Sequence, residues 1–162
     1  MSARLASVGL LCLALGLGLG CTRKPGWPPA PAKLHLGEDA CASCRMIISD
    51  ARFGAQLHQR GAAPQQFDDL GCLLDVVPNQ AGPIDPVGVF VRSYPDGAWL
   101  RGDRAQVVHI PGLDAPMGSG LAAFATPEEA AAEVARHPGA TSQSLSDLLS
   151  KPRARADRRG LP

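Results

Sequence analysis

The sequence predicts an α+β domain built from two small β-rich modules, each closed by a helix. Three observations predict it. Short β-favouring runs alternate with Gly- and Pro-containing turns through the middle of the chain. Two helix starts stand out, Phe67-Asp68-Asp69 and Phe124-Ala125-Thr126, each directly after such a run. The halves also rhyme: each carries a methionine, Met46 or Met117, ahead of the β-structure and the cap. This is a weak internal repeat, since the spacings differ.

The chain opens with Arg4 and an apolar run over 5–20, short for a membrane span and fitting a secretory signal. It ends in Leu17-Gly18-Leu19-Gly20-Cys21, which resembles a bacterial lipobox, with Gly18 where leucine is usual. We therefore expect a lipoprotein signal peptide over 1–20 and a lipidated Cys21. A spacer over 21–37 follows, stiffened by Pro25, Pro28, Pro29 and Pro31 and not expected to pack. Several acyl chains hold such an anchor stably where one does not. Thr22, rather than aspartate, after the cysteine favours the outer membrane, so the expected place is the cell envelope, facing the periplasm.

The folded domain is expected over 38–150. Met46-Ile47-Ile48 is β-favouring and Ser49 to Arg52 a turn. Phe53 to His58 and Gln65 to Phe67 read as a hairpin around Arg60 to Pro64. Asp68 or Asp69 caps a helix over Leu70 to Val77 that Pro78 ends. Residues 78–86 connect the halves. Val87 to Tyr94, Ala98 to Arg101, Arg104 to Ile110 and Leu121 to Ala125 read as strands, with a loop from Pro111 to Gly118. Thr126-Pro127-Glu128-Glu129 starts a second helix that stops near His137-Pro138-Gly139, and Ser144 to Leu149 adds a turn or two. Lys151, Arg153, Arg155, Arg158 and Arg159 make 151–162 a basic, solvated tail.

Composition narrows function. A net charge of +1 lacks the basic footprint of nucleic-acid binding. No G-x-S-x-G or phosphate-binding loop is present, so nothing points to acyl or phosphoryl chemistry. With aromatics at 4%, the core must come from Leu, Val, Ala and Ile.

The chemistry concentrates in Cys41-Ala42-Ser43-Cys44-Arg45-Met46. Two thiols and a thioether form a soft donor set, which favours Cu(I). In an extended chain residues i and i+2 share a face, so Cys44 and Met46 can address one ion. Once the leader is removed, Met117 is the one distant thioether. Cys12 leaves with the leader and Cys21 carries lipid, so Cys41, Cys44 and Cys72 remain. An odd number in an oxidising compartment leaves at least one thiol outside an internal disulfide. Cys72, among Leu70, Leu73 and Leu74, reads as a small buried hydrophobe. A Cys41–Cys44 disulfide with Met46 in the core stays open. Cys41, His35 and His58 are further candidate ligands, ranked below Cys44 and Met46.

Cys44-Arg45-Met46, Phe53-Gly54-Ala55-Gln56 and Phe67-Asp68-Asp69 resemble the first half of the NosL family of nitrous oxide reductase accessory lipoproteins. Trp99-Leu100, Ala115-Pro116-Met117-Gly118 and Leu121 to Thr126 resemble its second half. The resemblance covers roughly 38–137. It implies a two-module α+β fold, a lipid anchor, and no enzymatic activity. It implies a Cu(I) chaperone with Cys44, Met46 and Met117 as ligands, serving the copper sites of apo nitrous oxide reductase with a NosDFY-type membrane ABC transporter as partner. Arg45 departs from the family's usual glycine in Cys-Gly-Met. A cation there is expected to screen a thiolate and lower its pKa, or to mark a chaperone for another cuproenzyme.

Two other readings compete. A thiol–disulfide oxidoreductase would use Cys41 and Cys44, but such a pair normally opens a helix, and Met46 to Asp50 is a poor helix start. A structural zinc site would use Cys41, Cys44, Cys72 and a histidine, but it lacks a second ligand pair.

Overall fold

The computed structural model describes residues 26–27 and 29–151. The signal peptide over 1–20, Cys21 and residues 152–162 of the basic tail lie outside the described residues. Two antiparallel sheets carry the fold. The first has the order β2-β1-β3-β4, from Ala55–Leu57 (β1), Gln65–Phe67 (β2), Val89–Arg92 (β3) and Trp99–Arg101 (β4). The second has the order β6-β5-β7, from Gln106–His109 (β5), Leu121–Phe124 (β6) and Thr141–Ser144 (β7). The sheets meet where Ser93 bridges Ala123 and the Tyr94 N–H donates to the Ala123 carbonyl at 2.8 Å.

Helix α1, Leu70–Val76, lies against the first sheet; α2, Pro127–Arg136, covers the second; α3, Leu145–Ser150, follows β7 directly. The expected pair of modules is present, but they share one core. Leu57, Phe67, Val89 and Val91 from the first sheet pack with Val107, Leu121 and Ala123 from the second, and with leucines of α1 and α3. The alternate residues of the second sheet, Val108, Ala122 and Phe124, face the other way onto Ala130 of α2. Both faces of β6 are therefore buried, which explains why Leu-Ala-Ala-Phe shows no polar alternation.

The helix ends follow from their caps. Thr126 Oγ1 accepts from the Glu129 N–H at 3.2 Å, and Glu129 reaches back to the Ala125 N–H at 2.9 Å. Asp69 caps α1 and Ser144 caps α3.

Some elements differ from the sequence reading. β7 was not expected: Thr-Ser-Gln-Ser is polar and half exposed, and it is an edge strand held by pairing to β5. β3 starts late because Asp85 caps a 3-10 turn over Pro86–Gly88. Part of the proline-rich stretch packs. The Trp27 indole donates to Asp85 at 3.0 Å beneath the Arg60 guanidinium, and Gln56, buried on β1, bonds both the N–H and carbonyl of Ala32.

Candidate metal centre

Residues 39–48 form a narrow hairpin. Ala40 bridges Ile47, and the Cys41 N–H donates to the Met46 carbonyl at 2.8 Å. Inside that closing pair the chain makes one turn, with the Arg45 N–H donating to the Cys41 carbonyl at 3.0 Å. Arg45 leaves the turn with φ at +68°, the only non-glycine residue in the left-handed region among those described. Glycine occupies such a position without a Cβ penalty. The position thus has a conformational reason to favour the glycine of Cys-Gly-Met. The expected electrostatic role of Arg45 does not appear. Its side chain is exposed, and burial pushes the Cys44 thiol up rather than down.

The same turn corrects the geometry first assumed for Cys44 and Met46. The chain between them is bent at Arg45, not extended. Cys44 is half-buried, whereas Met46 is 54% exposed.

Cys44 points to partners that the spacing did not reveal. A further hydrogen bond, from the Ala42 N–H to the Gln66 carbonyl at 2.8 Å, pins the hairpin to β2, just before Asp69 and α1. Cys72, in the first turn of α1, then meets the turn. The Sγ atoms of Cys41, Cys44 and Cys72 all lie within 4.8 Å of one another. All three are free thiols. Cys41 and Cys72 are buried, so the cluster opens to solvent on the Cys44 side. Cys72 is a core residue, as its leucine neighbours predict, and its thiol also meets the two that the zinc reading grouped with it. The pinning of the hairpin to β2 has no sequence signature, and the odd cysteine count was the one hint.

The electrostatics of the trio are uneven. The Cys72 S–H donates to Cys41, and the N–H groups of Asp68, Cys44 and Ser43 also point at it. Together these hold Cys41 well below the ordinary thiol value against the opposing effect of burial. Cys72 is pushed up because it donates to that thiolate and is buried. Beside them Asp68 is buried, with one carboxylate oxygen lacking a partner among the described residues. Burial raises its pKa, and the neighbouring Cys41 adds to the rise.

Met117 approaches from the second half. Its loop is 44% exposed at the methionine and is tied to α1 by Asp69. Fully buried, Asp69 accepts from the Gly71 N–H at 2.6 Å with one oxygen and from the Met117 N–H at 3.1 Å with the other. Contact at this seam is close: a Cβ on Gly71 would lie 2.7 Å from the Ser119 Cβ. The backbone of Met117 therefore sits at the end of α1 that carries Cys72.

The histidines stand apart. His35 bonds Asp39 through its N–H at 2.7 Å, and His58 sits between Gln56 and the Phe90 ring. Neither joins the three sulfurs. The turn also weakens the oxidoreductase reading, since no helix begins at Cys41 or Cys44 and Cys41 is inaccessible. No described helix is long and apolar enough to cross a membrane.

The fold and the site have relatives. Residues 32–149 match the NosL family profile. A solved structure, the crystal structure of the copper chaperone NosL from Shewanella denitrificans, superposes with a TM-score of 0.60 at 18% identity, over 72% of this chain and 93% of that one. Among curated proteins, none matches this sequence significantly. The cysteine hairpin, the Asp69 cap and the Met117 loop all fall inside the matched stretch, and the chain belongs to the NosL family.

Proposed function

We propose that this chain is a Cu(I) chaperone of the cell envelope, anchored through a lipidated Cys21, that delivers copper to apo nitrous oxide reductase. The observation that carries the reading is the trio of free cysteine sulfurs, whose half-buried member, Cys44, stands two residues before the exposed Met46. Cu(I) is the cargo. Thiolate and thioether donors suit it, and among the described residues no carboxylate joins the three sulfurs as Ca or Mg would want.

Delivery requires a site that holds copper yet lets a partner reach it. Cys44, Met46 and Met117 meet that need as the outward-facing ligands. Met46 and Met117 are among the few large apolar side chains left exposed, with Leu36 and Ile47, the latter beside Met46. Such residues suit a surface that docks a protein partner. Transfer is then ligand exchange: a partner donor bonds copper as a chaperone sulfur leaves, and no bond in an organic substrate is made or broken. The membrane partner in this reading is a NosDFY-type ABC transporter. Membership of the family and the name of the Shewanella denitrificans relative support the copper assignment.

The test loads the reduced full chain with one equivalent of Cu(I) and mixes it with apo nitrous oxide reductase. Copper should appear in the enzyme, and Cys44→Ser should abolish the transfer. Equal transfer by Cys44→Ser, or transfer to an unrelated apo-cuproenzyme in preference, would overturn the proposal.

A further inference from the structure

We infer that Cys41, Cys44 and Cys72 form an inner three-thiolate seat in which Cu(I) rests between deliveries, Cys44 being the ligand it keeps when it moves outward to Met46 and Met117. This rests on the copper-chaperone reading above and adds a second position for the same ion.

Geometry is the first support. Three sulfur atoms within 4.8 Å of one another leave a central point no more than about 2.8 Å from each, close to the ~2.3 Å of a metal–thiolate bond. Small rotations about the cysteine side chains close the difference. Donor number is the second. Among the described residues no histidine, aspartate or glutamate donor joins the three sulfurs. Structural zinc takes four ligands, whereas soft thiolates in low number select Cu(I). The surroundings are the third. Cys41 and Cys72 are buried among core residues and Cys44 is half-buried, so an ion among the three sulfurs would be shielded on all sides but one. None of these features is needed by a site made of Cys44, Met46 and Met117 alone.

Binding moves protons and no electrons. Each protonated thiol releases its proton to solvent as its sulfur bonds the ion, and copper stays monovalent. On moving outward, the bonds to Cys41 and Cys72 break, bonds to two thioethers form, and the freed thiolates can take protons back. The buried seat protects the cargo from solvent and competing ligands; the exposed one offers it.

The test uses the reduced full chain carrying Cys12→Ser and Cys21→Ser, so that its thiols are Cys41, Cys44 and Cys72. Met46→Leu and Met117→Leu are added together. This variant should still bind one Cu(I), with three sulfur neighbours by X-ray absorption, and should hand it on slowly. Adding Cys41→Ser or Cys72→Ser should lower its Cu(I) affinity by about 100-fold while circular dichroism shows the fold retained. If removing the methionines abolishes binding, or if X-ray absorption finds fewer than three sulfurs, the inner seat is wrong and the chaperone reading stands. If the unmodified chain binds no Cu(I), both fall.

Discussion

Asp69 joins the two halves of the molecule beside the candidate metal centre, so replacing it with asparagine separates two of its tasks. The carboxylate is fully buried and accepts two backbone N–H groups, from Gly71 at 2.6 Å and from Met117 at 3.1 Å. An asparagine oxygen can keep the shorter bond and with it the α1 cap. Its NH2 then faces the Met117 N–H, donor against donor. Loss of a hydrogen bond to a charged group costs about 1.5–3 kcal/mol, so Asp69→Asn should destabilise the domain by about 2 kcal/mol. Asp69→Ala loses the cap as well and should cost about 3–5 kcal/mol. Denaturant unfolding of the copper-free chain reads both values. The same 2 kcal/mol limits how far Met117 drifts from its place, to a factor of about 30. Handover of Cu(I) to a competing chelator should therefore slow, by up to that factor, with loading retained. In a double-mutant cycle, adding Asp69→Asn to Met117→Leu should slow handover no further, because the two act through one thioether. The reasoning is refuted if Asp69→Asn destabilises the fold yet leaves handover at the unmodified rate while Met117→Leu slows it.

Two further predictions concern the frame of the site. Arg45→Gly should raise stability by about 1 kcal/mol in denaturant unfolding, since φ of +68° is unfavourable for a residue with a Cβ, while Arg45→Ala should give no such gain. Burial holds the His58 imidazole below its ordinary value, so its folded pKa lies under its unfolded pKa. Its contribution to stability is complete above about pH 6.5 and is lost as pH falls through the folded value. His58→Gln should therefore lose less stability than the unmodified chain between pH 7.5 and pH 5, with Cu(I) loading at pH 7.5 unchanged.

Much of the fold was legible because local chemistry determined it. The Thr126-Pro127-Glu128-Glu129 start, the Asp69 cap and the hairpin strand Gln65–Phe67 all stand where their residues predict. β7 was not legible, because an exposed edge strand of Ser, Thr and Gln owes its existence to its partner β5. Of the cysteine cluster, the Cys41 and Cys44 pair was legible from its spacing. Donor softness singled out Cys44 and Met46, and the one distant thioether singled out Met117. Cys72 looked like core because its neighbours Leu70, Leu73 and Leu74 are core. It is core and also within reach of Cys41 and Cys44, a coincidence set by the docking of the hairpin on β2. The extended geometry supposed between Cys44 and Met46 failed at Arg45, where the turn needs a left-handed residue and a cation gave no hint of one.

The proposals place Cys44 in both the exposed and the buried ligand sets, so its contribution tests the account most directly. The measurement is a titration of the reduced full chain against a Cu(I) chelator of known affinity, with and without Cys44→Ser. The account predicts one tightly held Cu(I) in the unmodified chain and an affinity at least about 100-fold weaker in the variant. The same stoichiometry and affinity in both chains would contradict it.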